Sequence, residues 1–134
     1  MNRTSQVRGH LWLALDVAAV AVFVAIGRTV HAHRLNIAGF ASTAWPFATG
    51  LAVGWFVLTV SHRPGLSLRS GVMMCVFTVA IGMALRIVSG QGIAFAFVLV
   101  ALGFLGAVML GWRVVETLSR RWRRGSVAGT LNKS

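Results

Sequence analysis

From Gly71 to Trp112 the chain reads GVMMCVFTVAIGMALRIVS, then GQG, then IAFAFVLVALGFLGAVMLGW. Each apolar run is long enough, at 1.5 Å rise per residue, to cross a hydrocarbon core of about 30 Å. The link between them, Ser89-Gly90-Gln91-Gly92, is so short that the second run must fold back along the first. The pair is a transmembrane helical hairpin, and it carries one cation, Arg86, inside its first arm. Few other folds can take such a stretch. With no water to satisfy the backbone, only helices and closed barrels span lipid, and continuous runs without alternation exclude barrel strands.

The rest of the chain repeats the plan. Charged residues make up 11% of the sequence and hydrophobic ones 57%, whereas a soluble domain carries about 25% charged residues. So few charges cannot cover a water-facing surface. Two further runs, residues 11–27 and 43–60, form a second hairpin beside the first. The expected fold is all-α: an antiparallel bundle of four transmembrane helices over residues 11–27, 43–60, 71–88 and 93–112. A polar segment, 1–10, precedes the membrane domain, 11–115, and a basic, partly disordered tail, 116–134, follows it. Asp16, and the lack of a small-x-small cleavage site, argue against a signal peptide in the first run. Pro46 is placed in the first turn of the second helix, where its missing N–H costs little.

Orientation follows from the cations. Arg3, Arg8, Arg63, Arg69, Arg113, Arg120, Arg121, Arg123, Arg124 and Lys133 fall on the side of the termini, against Arg28 and Arg34, with Arg86 close by, on the other. The positive-inside rule then makes both termini cytoplasmic in a multi-pass protein of the cell membrane. A net charge of +11 would point to nucleic acid in a soluble protein. Here most cations flank apolar runs, so anionic lipid headgroups are the expected partners and nucleic acid is not. The cluster Arg120, Arg121, Trp122, Arg123 and Arg124 reads as a lipid anchor just past the last span.

Three groups of residues inside or beside the spans invite chemistry. Asp16 is the only acid within an apolar run. A charge there costs a few kcal/mol, so it faces the bundle and either pairs with a cation or gives up its charge. Arg113, Arg69 and Arg63 lie at comparable depth, and Asp16 with Arg113 is the candidate proton or ion-pair site. A buried structural pair is the plainer reading of the same residues. At the outer level Arg28 and Arg86 have Thr43, Trp45 and Gln91 as neighbours in depth, a set suited to a phosphate, carboxylate or lipid headgroup. Snorkelling to outer headgroups is the alternative. Gly82 would leave space beside the Arg86 guanidinium. Small residues mark helix contacts: Gly50 and Gly54 on the second helix, Gly82 on the third, and Gly103, Ala107 and Gly111 on the fourth. There is also a faint internal echo, with Val24-Ala-Ile-Gly27 matched by Val79-Ala-Ile-Gly82 and Gly54-Trp55 by Gly111-Trp112.

Enzyme chemistry finds little support. No phosphate loop, Ser-His-acid set, carboxylate pair or CxxC is present. Cys75 is alone and reads as apolar filler. His31-x-His33 lacks the further ligands a metal site needs. No cofactor and no metal are expected.

Several pieces together carry a resemblance: Asp16 with the run to Gly27-Arg28, Thr43-Ala-Trp-Pro-Phe47, Gly50-Leu-Ala-Val-Gly54-Trp55, Gly82-Met-Ala-Leu-Arg86, Ser89-Gly-Gln-Gly92 and Gly111-Trp112-Arg113. On these, across residues 11–115, the chain resembles a family of small bacterial integral membrane proteins known only as domain-of-unknown-function 3054. The resemblance implies four spans, a home in GC-rich Gram-positive bacteria and no assigned activity. The leading expectation is a small transporter or channel-like protein, or a subunit of one, with an arginine-lined outer site for an anionic group. Its rivals are a non-catalytic accessory or assembly protein and a membrane enzyme acting on lipid headgroups. Four short helices enclose little space, so a homo-oligomer or a larger membrane complex is expected.

Overall fold

The computed structural model describes residues 3–30, 36–92 and 94–131, with side chains over 9–29, 36–92 and 94–125. Four helices follow one another: α1 (Arg3–Val30), α2 (Ile37–Val60), α3 (Leu68–Val88) and α4 (Phe95–Leu131). Among the described residues there is no strand. All four helices are long and apolar enough to cross a membrane. They pack as a ring, α1 on α2, α2 on α3, α3 on α4 and α4 back on α1, which sets α1 and α3 diagonally opposite. Consecutive helices run antiparallel. The chain's two ends and the α2–α3 turn therefore share one end of the bundle, called here the termini end. The α1–α2 and α3–α4 connections share the opposite end.

The outside of the bundle is greasy. Leu11, Leu15, Val22, Ile26, Phe56, Val72, Val76, Leu99 and Val100 are all exposed. In water so continuous an apolar surface would drive aggregation; against lipid tails it costs nothing. The chain has the build of a multi-pass membrane protein.

The helices outrun the apolar segments that mark them in the sequence. α2 starts at Ile37 because Asn36 caps it, its Oδ1 accepting from Gly39 N at 2.6 Å. The mildly apolar stretch before Thr43 is therefore the opening of the helix. α4 does not stop at Trp112 but continues to Leu131. Its polar continuation carries the helix-forming Arg120, Arg121, Arg123 and Arg124 and an i,i+4 pair, Arg120 Nε to Glu116 Oε1 at 2.9 Å. The earlier start of α2 also moves Pro46 from the first turn into the helix interior. There Pro46 removes the donor that would have capped the Ser42 carbonyl, four residues back.

The middle of the core is packed around aromatic rings. Phe23 is its hub, with ring centroids 5.4 Å from Phe47, 5.5 Å from Phe97 and 5.9 Å from Phe104. The tightest seam is α2 against α3. A Cβ built on Gly50 would lie 2.8 Å from the carbonyl oxygens of Phe77 and Thr78, and one on Gly54 3.0 Å from Met74 Sδ. Gly82 does not make room for Arg86. Phe47 takes that space, its Cδ1 lying 2.7 Å from where a Cβ would be. The small residues of α4 behave differently. Cβ positions at Gly103 and Gly111 meet nothing within 4 Å, and Ala107 is exposed. Among the described residues, a Cβ added at either glycine would meet no neighbour.

Gly50→Leu should therefore destabilise the bundle by about 2–3 kcal/mol, since backbone carbonyls cannot step aside for a side chain. Gly103→Leu should stay within about 0.5 kcal/mol of the parent. Denaturant titration of the two variants in the same detergent micelle checks both.

Candidate functional site

Charge sits at two places, one at each end of the bundle. At the termini end, Asp16 of α1 and Arg113 of α4 are both fully buried and bonded side by side. Asp16 Oδ1 accepts from Arg113 Nη1 at 3.0 Å and from Trp112 Nε1 at 3.0 Å. Oδ2 accepts from Arg113 Nη2 at 2.8 Å and from Trp55 Nε1 at 3.2 Å. Arg113 spends its other donors on backbone, with Nη1 to the Met109 carbonyl at 2.7 Å and Nε to the Gly65 carbonyl at 2.9 Å. Its Cζ also lies 4.2 Å from the centre of the Trp112 ring. The two-pronged fork is the strongest geometry available to an arginine and a carboxylate.

Glycines make the closeness possible. A Cβ on Gly71 would meet Arg113 Cδ at 2.8 Å, and one on Gly65 would meet Trp55 at 3.3 Å and Trp12 at 3.5 Å. Trp12 stacks on Trp112 at 6.4 Å, and Arg120 lies over Trp12 at 5.9 Å. The α2–α3 turn is drawn in by a second bond as well, Ser70 Oγ donating to the Pro64 carbonyl at 2.8 Å. α1, α2, α4 and the α2–α3 turn thus meet at one carboxylate. With two donors on each oxygen, the Asp16 carboxylate is fully hydrogen-bonded in this arrangement. Arg63 and Arg69, at similar depth in the sequence, are exposed.

Trp55 and Trp112 escape a reading of the sequence as ligands of Asp16, because depth along a helix does not show which way an indole N–H is turned. The signal was the echo of Gly54-Trp55 in Gly111-Trp112. The two equivalent indoles serve the two oxygens of one carboxylate.

The opposite end is built the other way round. Arg28, near the end of α1, reaches over the start of α2, where its Nη1 donates to the Gly39 carbonyl at 2.8 Å and to Thr43 Oγ1 at 3.1 Å. The guanidinium lies so tightly over Gly39 that a Cβ there would collide with it. Arg86, in the last turn of α3, donates from Nη1 to Gln91 Oε1 at 2.9 Å. Gln91 Nε2 donates in turn to the Ser42 carbonyl at 3.0 Å, the acceptor that Pro46 leaves open. Arg86 Cζ stands 5.2 Å from the Phe97 ring centre, and its Nε is buried without an acceptor.

Arg28, Thr43, Arg86 and Gln91 all line one cavity of about 590 Å³, with Ser42, Gly27 and Gly92 beside them and Phe23, Val24, Ala94 and Phe97 as its apolar wall. Trp45, grouped with them by depth, is not part of the lining. Asp16 is not there either. The chain's two acids, Asp16 and Glu116, are both engaged elsewhere, with Arg113 and Arg120. In the cluster past the span, Trp122 is 85% exposed, and Arg121, Arg123 and Arg124 are exposed too. His31 and His33 lie outside the described residues, and among those described no three His, Cys, Asp or Glu side chains group as metal ligands.

Compared with known proteins, a family model described as "Protein of unknown function (DUF3054)" matches residues 13–116. The match takes in Asp16, both cavity arginines and Arg113, and stops short of the arginine cluster. No curated protein and no solved structure matches the chain.

Breaking the Asp16–Arg113 pair from one side strands a buried charge. Asp16→Asn should cost about 3–5 kcal/mol of stability, whereas Asp16→Leu with Arg113→Met together should cost less than either alone. Denaturation of Asp16→Asn, of the two single variants and of the double variant in matched micelles, followed by helix content, decides it.

Proposed function

The chain belongs to the DUF3054 family, and we propose that this protein is a membrane carrier, or the binding subunit of one, that takes an anionic group at the arginine-lined cavity. One observation carries the reading. Two arginines from different hairpins open into the same cavity while both acids of the chain are held at the other end. Guanidinium groups in a partly apolar recess favour carboxylate or phosphate strongly, because few waters compete.

The closed centre favours a carrier over an open pore. Past Phe23 and Phe97 in the cavity wall come the rings of Phe47 and Phe104 packed on them, and at the far end the Asp16–Arg113 pair. A solute would cross only if the helices moved. With the positive-inside rule, the cavity opens outside and the ion pair lies toward the cytoplasm. The exposed arginines of α4 would then lie against anionic headgroups on the inner face.

A second reading, an accessory protein that assembles with others, is favoured by the Gly103, Ala107 and Gly111 stripe, of which Gly103 and Ala107 are exposed on α4. Close packing against another helix is the usual use of such a face in lipid.

For the carrier reading, uptake of organic anions into vesicles should fall about tenfold or more in Arg86→Ala, the loss of one charge-assisted contact, and partly recover in Arg86→Lys. Equal uptake by wild type and Arg86→Ala, both folded and inserted, rejects it. A stoichiometric partner retained on mild detergent purification, with no uptake, would favour the accessory reading.

A further inference from the structure

The cavity is far larger than the charged group its arginines would hold. At about 590 Å³ it matches sites that take small organic molecules. An inorganic oxyanion fills little more than the space of a few waters, at about 30 Å³ each. Most of the volume would remain as water against Phe23, Val24 and Phe97. The lining is also sided, with Arg28, Thr43, Arg86 and Gln91 supplying the polar contacts and the phenylalanines the apolar ones.

Gln91 adds the second observation. Its carboxamide oxygen occupies the acceptor position on Arg86 Nη1 that a ligand's anionic oxygen would use. Arg86 Nε, buried beside it, has no acceptor at all. Gln91 stands on a turn between Gly90 and Gly92, both at positive φ, 73° and 68°. Neither glycine has a neighbour within 4 Å of its Cβ position, so the turn has room to shift. A neutral amide held by one bond at each end yields to a charged oxygen, because hydrogen bonds between arginine and an ionised acceptor are about twice as strong.

We infer that the ligand is an anionic amphiphile, a phosphate or carboxylate head on an apolar tail, whose head displaces Gln91 from Arg86 while the tail covers Phe23 and Phe97. This rests on the anion site proposed above. Such a molecule comes either from the bilayer, as an acidic lipid, or from solution, as an alkyl or aromatic acid.

The test titrates the full chain, in nanodiscs of zwitterionic phosphatidylcholine, with inorganic phosphate and with butyl, hexyl and octyl phosphate by calorimetry. Arg86→Ala protein in identical discs subtracts simple partitioning into lipid. Affinity should rise up to about fourfold per methylene while the tail is being buried. Gln91→Ala should bind octyl phosphate about fivefold tighter, the net value of one neutral hydrogen bond. Gln91→Glu, with a fixed carboxylate beside Arg86, should lose at least about tenfold, with thermal unfolding no lower than wild type. Equal affinity for phosphate and octyl phosphate overturns the amphiphile and leaves the anion site standing. Wild-type binding by Gln91→Glu overturns the displacement. No binding of any probe, with no lipid retained, removes the anion site and this inference together. Protein purified from membranes containing phosphatidylglycerol gives the source by native mass spectrometry. A retained anionic lipid that Arg86→Ala lacks supports a bilayer ligand; octyl phosphate binding without one supports a soluble ligand.

Discussion

The Asp16–Arg113 pair is the constraint around which this bundle is arranged. Taking two charges out of water is expensive, and their attraction offsets the cost only when the geometry is good and the remaining donors and acceptors are satisfied. Here both conditions are met at once. Two indoles complete the carboxylate, and two backbone carbonyls engage the guanidinium. Those partners come from α2, the α2–α3 turn and α4, so satisfying one ion pair fixes the rotation of α1, α2 and α4 and the path of the α2–α3 turn. Greasy helices in lipid have little else to set their rotation, because one apolar face is as soluble in the membrane as another.

That arrangement has an electrostatic consequence at the other end. The chain has two acids, and the termini end takes both. Arg28 donates to a carbonyl and a hydroxyl and Arg86 to an amide oxygen, acceptors that bind a cation without neutralising it. One end of the bundle is thus electrically closed and mechanically tight. The other is positive and hollow. Pro46 contributes to the second end in an indirect way. By withholding a donor from the Ser42 carbonyl, it gives Gln91 a place to anchor. A helix irregularity in α2 thereby holds the side chain that occupies Arg86.

Several features of both sites were legible beforehand, and the exceptions share a cause. Asp16 had to face the bundle, and Arg28, Thr43, Arg86 and Gln91 had to share a level, because depth along a helix is fixed by rise per residue. Rotation about the helix axis is not fixed that way. Hence Trp45 has the right depth but stands outside the cavity lining, and Phe47, not Arg86, fills the notch at Gly82. Gly103 and Ala107 have contact spacing but are exposed, and Gly111 is only half-buried. The helix ends moved for a different reason. Caps and helix propensity set them, as at Asn36 and along the arginine-rich end of α4, whereas hydropathy marks only the part that prefers lipid.

By itself, then, the sequence determined the four spans, their antiparallel order and the level of Asp16, Arg28, Arg86 and Arg113, since run length and link length leave no other way to cross a bilayer. Only the tertiary structure decided which of Arg63, Arg69 and Arg113 answers Asp16, that Trp55 and Trp112 complete it, and that Arg28 and Arg86 open into one cavity. Those choices depend on how each helix is turned and on which glycines let neighbours approach, and in an evenly apolar sequence that information appears only when the helices pack.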